Sequence, residues 1–236
     1  MNDIFHKDKL IWEHNIRNFE KEFLNMFPDM KLPNYKINFI QEIKNINYSM
    51  QVEHTKNPMA LNINMGYMCD KNFDYKNVLT HEFTHMNDYY SLLNDRNPKF
   101  KSKALSLYTE YHATYIQAQY LFSQNKKSID CIMQNILESE LLIQENIESF
   151  NKGKDLSLWN GILYGYMYYF GYVDYYNSIC KKYEMKHFDF ENDKILYDLY
   201  NCLTLHITSD SFWEVCYKIQ TLLDKSILYE LLQDKK

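Results

Sequence analysis

The chain has 236 residues, 46% of them hydrophobic and 24% charged, and its 26 basic against 31 acidic side chains give a net charge of −5. This length fits one domain, or a small domain with a helical extension, that buries a substantial core. The acidic balance, with no basic run mixed with aromatic residues, argues against nucleic acid as a partner.

Cysteine usage and the N-terminus predict an intracellular setting. The five cysteines are scattered and form no Cys-x-x-Cys pair, so neither a disulfide framework nor a cysteine zinc site is expected. Residues 1–8 contain no apolar segment followed by a cleavage site, so we expect no secretory signal. The sequence therefore predicts a cytoplasmic protein.

The first element is a helix. Apolar residues among charged ones predict an amphipathic helix over residues 7–27, which Pro28 ends. The apolar residues are Leu10, Ile11, Ile16, Phe19, Phe23 and Met26. We expect this helix to pack as scaffold.

A small antiparallel sheet follows. Alternation of apolar and polar residues predicts two strands, 35–43 and 46–52, joined as a hairpin through Lys44-Asn45. The clearest alternation in the chain predicts a third strand over residues 59–67. As an edge strand it could pair with an extended peptide, and a plain half-buried strand explains the same pattern.

Beyond Pro98 the sequence predicts only helices, near residues 101–124, 128–150, 157–184, 192–208 and 211–234. The segment 158–173 contains Gly161-x-x-x-Gly165, but it is short for a membrane span and rich in tyrosine. We expect a buried, tightly packed helix whose tyrosines could line a groove.

Together these elements predict an α+β fold that is mostly α. A catalytic core over residues 1–125 would hold the N-terminal helix, the sheet, a helix with the motif described next, and a helix that carries a glutamate. Residues 126–236 would form a helical subdomain packed on that core.

The pattern His81-Glu82-Phe83-Thr84-His85 is the chemical centre of the sequence. Residues four apart on a helix lie on one face, so the two imidazoles can bind a single ion. Glu82 is offset around the helix, where its carboxylate can take a proton from a water on that ion. The spacing therefore supplies two metal ligands and a general base.

The context favours a helix with the motif at its middle. Apolar residues at helical spacing give a buried face distinct from the histidine face. They are Leu79, Phe83, Met86, Tyr90 and Leu93. Asp74 or Asn72 can cap the start of this helix.

A catalytic zinc needs a third protein ligand and keeps its fourth position for water. Glu110 lies 25 residues after His85 on the next predicted helix, with Ala113 and Ala118 small where helices would approach closely. Asp88 is three residues from His85 and suits a supporting contact or a solvated turn. His112 is the rival of Glu110 and points about 200° away from it on a helix.

These residues resemble the gluzincin metallopeptidases, which combine His-Glu-x-x-His with a glutamate ligand on a following helix. The segment from Glu110 to Ala118 is similar to the Glu-x-x-Ala-x-x-x-x-Ala pattern of ImmA/IrrE-type proteases. The resemblance covers roughly residues 35–122 and implies that His81, His85 and Glu110 bind Zn²⁺, with Glu82 as the general base. The chain departs from that group in two ways: no helix-turn-helix signature precedes the motif, and the resemblance does not extend to the last 110 or so residues.

The sequence thus predicts a zinc metalloendopeptidase that hydrolyses a protein or peptide substrate by a metal-activated water. An alternative is a catalytically silent zincin-fold binding module whose helical half contacts a protein partner, since fold does not settle function. A third interpretation is a chance match of the motif in a helical protein without metal.

Overall fold

A computed structural model describes residues 2–40, 49–68, 73–93, 103–124, 129–153, 157–180, 182–204 and 212–225. The chain forms two compact units, Met1–Arg96 and Asn97–Lys236, here called unit 1 and unit 2. The predicted catalytic core over 1–125 and helical subdomain over 126–236 stay predictions.

Unit 1 combines helices with a small sheet. In chain order its elements are α1 (Asn2–Met26), β1 (Tyr35–Ile40), β2 (Met50–Glu53), β3 (Met59–Asn64), α2 (Met65–Met68) and α3 (Tyr75–Leu93). Unit 2 contains α4 (Lys103–Gln124), α5 (Ile129–Gly153), α6 (Ser157–Ile179), α7 (Asp193–Leu203) and α8 (Phe212–Asp224). The fold is α+β and mostly α, as the sequence predicts.

The sheet has the order β1-β3-β2, with β3 parallel to β1 and antiparallel to β2. The predicted hairpin is therefore wrong, because the two strands it would join are not neighbours, and the sheet is mixed rather than antiparallel. Period-two alternation reports which face of a strand is buried, but not which strand lies beside it. The predicted turn at Lys44-Asn45 lies outside the described residues.

Strand β3 is central, so its prediction as an edge strand is wrong as well. It also ends earlier than the alternation suggests, at Asn64. The side-chain oxygen of Asn64 accepts a hydrogen bond from the N–H of Gly66 at 3.1 Å, a local turn that ends the strand and starts α2. Met65 consequently belongs to a short helix.

The core of unit 1 is aromatic and forms where α3 packs on α1. Phe83 lies with its ring centroid 5.4 Å from that of Phe23 and 6.2 Å from that of Phe19, and all three side chains are fully buried. Leu10, nine residues before Phe19, is about half a turn away around α1 and is exposed. The contacts fix α3 against the scaffold helix.

Unit 2 is organised around α6, which packs on both α4 and α5. A Cβ added to Gly171 would lie 2.8 Å from the Cβ of Thr114 and from the carbonyl oxygen of Tyr111, both on α4. A Cβ on Gly165 would lie 2.9 Å from Ile143 Cγ1 on α5. The prediction of a tightly packed helix is therefore confirmed.

Buried tyrosines of α6 are hydrogen-bonded rather than exposed in a groove. Tyr166 and Tyr169 are fully buried. The Tyr166 hydroxyl donates to Asp193 Oδ1 at 2.5 Å, and the Tyr169 hydroxyl accepts from the N–H of Lys186 at 2.8 Å. Such partners offset the cost of burying a polar group.

Helix α6 ends at Ile179, five residues before the predicted end. The predicted helical extensions to 208 and 234 lie outside the described residues. Among the helices that the structure describes, none combines the length and apolar character needed to cross a bilayer.

Candidate metal centre

Helix α3 carries the motif near its middle. Asp74 caps its start, since the N–H of Asn77 donates to Asp74 Oδ1 at 3.1 Å. Leu79, Phe83 and Met86 are fully buried, which confirms the predicted apolar face. Tyr90, predicted on that face, is 36% exposed, so the buried stripe is shorter than expected.

The two motif histidines approach each other on the adjoining face of α3. Their Nε2 atoms are 3.0 Å apart, and His85 is buried while His81 is partly exposed. Two nitrogens bound at 2.0–2.1 Å to one tetrahedral ion lie roughly 3.3 Å apart. The histidine pair is thus close to the spacing that a shared ion requires.

Glu82 is anchored to the edge of the sheet. Its side chain is buried, and its Oε2 atom accepts a hydrogen bond from the backbone N–H of Val52 at 2.9 Å. Along an antiparallel ladder, residues that bond to the neighbouring strand alternate with residues that do not, and the carbonyl oxygen of Ser49 accepts from the N–H of Asn64 on β3. The N–H of Val52, three residues after Ser49, therefore points away from β3, to the outer side of β2. This donor orients the Glu82 carboxylate.

Glu110 lies on α4 and is partly exposed. One ligand atom each of His81, His85 and Glu110 lie within 4.8 Å of one another, a group that could hold a metal ion. The rival His112 is outside this group and stacks on Tyr108 of its own helix, with ring centroids 5.7 Å apart.

Asp88 is 3% exposed and accepts a hydrogen bond from the Asn87 side chain at 3.1 Å. Its interpretation as a solvated turn residue is wrong, because α3 continues past it to Leu93. Ala113 and Ala118 are fully buried in α4. Their predicted role in a close approach of helices stays a prediction.

Sequence reasoning missed two aromatic partners of the histidine face. The His54 ring stacks on that of Tyr89 with centroids 3.8 Å apart, and Tyr89 also lies 6.3 Å from the His85 ring. The position of Tyr89, four residues after His85, could have indicated a shared face. His54 belongs to the turn after β2, and no spacing rule links it to α3.

Comparison of the chain with protein-family models, with curated proteins and with solved structures gave no significant match. The functional conclusion therefore depends on the chemistry of the site. Among the residues that the structure describes, that chemistry is a group of two imidazoles and one carboxylate, His81, His85 and Glu110, that could hold a metal ion.

Proposed function

We propose that the chain is a gluzincin-type zinc metallopeptidase acting on a peptide or protein substrate in the cytoplasm. His81, His85 and Glu110 would hold Zn²⁺, and Glu82 would be the general base. The observation that carries the proposal is the clustering of three ligand atoms within 4.8 Å.

The donor set fits zinc. Imidazole nitrogens together with one carboxylate are a common catalytic zinc set, whereas calcium and magnesium prefer oxygen ligands alone. Three protein ligands leave a fourth position for water or substrate. Bound there, zinc would lower the pKa of a water and polarise the scissile carbonyl.

Glu82 supplies the proton chemistry. Its place directly after His81 keeps it beside the ligands without being one of them. The hydrogen bond from the N–H of Val52 holds the carboxylate in one orientation, which lowers the cost of positioning it for each turnover. Glu82 takes the proton of the attacking water and later delivers it to the leaving amine.

The test is a proteome-wide comparison of cleavage products made by the zinc-loaded wild type and by Glu82→Gln. We expect Glu82→Gln to retain zinc and to lose turnover about 10²- to 10⁴-fold, the usual contribution of a general base. Glu145→Gln, an exposed glutamate of α5, is the matched control and should cleave like the wild type.

Two outcomes contradict the proposal. Undiminished cleavage by Glu82→Gln would show that Glu82 is not the base. Zinc binding without cleavage by the wild type would instead favour the binding module as the function of this fold.

A further inference from the structure

One face of α4 carries a row of three polar residues, here called the stripe. Lys103, Ser106 and Glu110 are spaced by three and four residues, which places them on the same face of the helix. All three are partly exposed, whereas the intervening residues Leu105 and Leu107 are buried. The proposed zinc ligand Glu110 thus shares an accessible stripe with a lysine.

Residues of α6 complete this stripe. Lys103 Nζ donates to Asn160 Oδ1 at 2.7 Å and lies 4.6 Å from the centroid of the Tyr164 ring. The hydroxyls of Tyr164 and Ser106 are 3.0 Å apart. Asn160 is exposed, so the cluster is open to solvent at this end.

Lys103 contributes a positive charge to this stripe. Among the residues that the structure describes, no carboxylate lies within 4.0 Å of its ammonium group. An ammonium has three N–H donors, and the Asn160 amide oxygen accepts one. The proposed zinc ligand Glu110 is close enough for its negative charge to act on Lys103.

Zinc binding would change the charges around Lys103. A Glu110 carboxylate bound to a divalent cation no longer offers its full charge to Lys103. Two imidazoles and one carboxylate around Zn²⁺ leave a charge of +1, which the Glu82 carboxylate offsets in the wild type but not in Glu82→Gln, and the Lys103 ammonium adds a further positive charge. The stripe then attracts anions although the whole chain has a net charge of −5.

We infer that Lys103, with the Ser106 and Tyr164 hydroxyls beside it, forms a substrate subsite for a carboxylate. The inference rests on the proposed function and names its substrate class, which is peptides with a carboxylate near the scissile bond. That carboxylate belongs either to an aspartate or glutamate side chain or to the C-terminus of the substrate.

The spacing along α4 sets how far the carboxylate lies from the scissile bond. Lys103 lies seven positions before Glu110, which is about 10 Å along a helix that rises 1.5 Å per residue. An extended peptide advances about 3.3 Å per residue. The recognised carboxylate is therefore within about three residues of the cleaved bond.

The test measures peptide binding in full-length, zinc-loaded Glu82→Gln, where turnover does not obscure the result. The probe is a synthetic peptide library with random positions, half of it with a free and half with an amidated C-terminus. We expect retained peptides to be enriched in carboxylates and Glu82→Gln/Lys103→Gln to bind them about 10- to 100-fold more weakly, the value of a charged hydrogen bond. Lys194→Gln in the same background, an exposed lysine of α7, should leave the enrichment unchanged.

Two further variants separate recognition from folding. Lys103→Arg should keep the preference for carboxylates, and Lys103→Glu should replace it with a preference for lysine and arginine. Loss of binding on amidation alone would identify the substrate C-terminus as the source of the carboxylate. Two results would overturn the inference. One is that Glu82→Gln/Lys103→Gln retains peptides as enriched in carboxylates as those that Glu82→Gln retains. The other is that Glu82→Gln itself shows no enrichment in carboxylates.

Cleavage of the same peptide library by the zinc-loaded wild type, measured beside binding by Glu82→Gln, distinguishes the inference from the proposed function. Carboxylate binding by Glu82→Gln that depends on Lys103, together with a wild type that cleaves nothing, would support the subsite and contradict the peptidase. Cleavage that depends on Glu82 but ignores the acidity of the peptide would support the peptidase and overturn the subsite.

Discussion

Helices α3 and α6 both bury polar side chains, but they use them differently. On α6, the hydroxyls of Tyr166 and Tyr169 bond to groups that follow in unit 2, so the polar atoms close the core. On α3, the two histidine nitrogens converge at 3.0 Å, and Glu82 is held by a backbone donor. Polar groups spread along a helix stabilise packing, whereas polar groups concentrated at one point indicate a site.

The largest expected effect is the loss of metal binding when one of the two converging histidines of α3 is replaced. His81→Ala should weaken zinc binding by at least about 100-fold, because removal of a ligand costs more than removal of a residue that only hydrogen-bonds to a ligand. Titration with zinc and a competing chelator measures the change. His14→Ala, an exposed histidine of α1, should bind zinc like the wild type. Equal zinc affinities of His81→Ala and the wild type would show that the converging polar groups of α3 do not form a metal site and so do not differ in role from those of α6.

On α6, the expected effects are on stability alone. Gly171→Ala places a Cβ 2.8 Å from Thr114 and from the backbone of Tyr111, so we expect a loss of about 1–3 kcal/mol in the free energy of unfolding. Gly153→Ala, where a Cβ meets nothing within 4 Å, is the control and should be no less stable. Denaturant unfolding measures both variants. Equal stability of the two would show that the close packing of α6 on α4 is wrong.

A smaller loss should follow removal of one hydroxyl. Tyr166→Phe leaves the buried Asp193 carboxylate without one hydrogen bond, which should lower the free energy of unfolding by about 1–2 kcal/mol. Tyr217→Phe, on a side chain that is 72% exposed, should change it by less than about 0.5 kcal/mol. A Tyr166→Phe variant as stable as Tyr217→Phe would mean that the buried pair does not stabilise unit 2.

The buried tyrosines also predict a sensitivity to alkali. Burial raises the pKa of Tyr166 and of Tyr111, and partial burial raises the pKa of the half-buried Tyr183 to about 12. Above about pH 10 the unfolded chain releases these protons and the folded chain keeps them, so stability falls as the pH rises. Circular dichroism during a titration from pH 9 to 12 should show reduced thermal stability from about pH 10 upward. Unchanged stability across this range would contradict the burial of these hydroxyls.

Local patterns were sufficient to predict the longer helices and the ligand spacing on α3, but not the four-residue helix α2. The period of the apolar residues located the buried side of the motif helix, with Leu79, Phe83 and Met86 at its centre. Asp74 as the cap of α3 was also predictable, since capping needs only residues three apart. These features depend on neighbours within one or two turns.

Features set by distant parts of the chain were not predictable in this way. The parallel pairing of β1 with β3 brings together residues 24 apart, such as Tyr35 and Met59, and no local period encodes it. The anchor of Glu82 is a backbone N–H of Val52, which has no sequence signature. The stacking of His54 on Tyr89 likewise arises only once β2 lies against α3.

The most direct test of the central claim is a zinc titration of the metal-free chain, in parallel with Glu110→Gln and His112→Ala. We expect the wild type to bind about one zinc ion per chain, as three protein ligands define one site. Glu110→Gln should bind it much more weakly, and His112→Ala should bind it like the wild type. A wild type that takes up no zinc, or a loss confined to His112→Ala, would contradict the assignment of His81, His85 and Glu110 as the metal ligands.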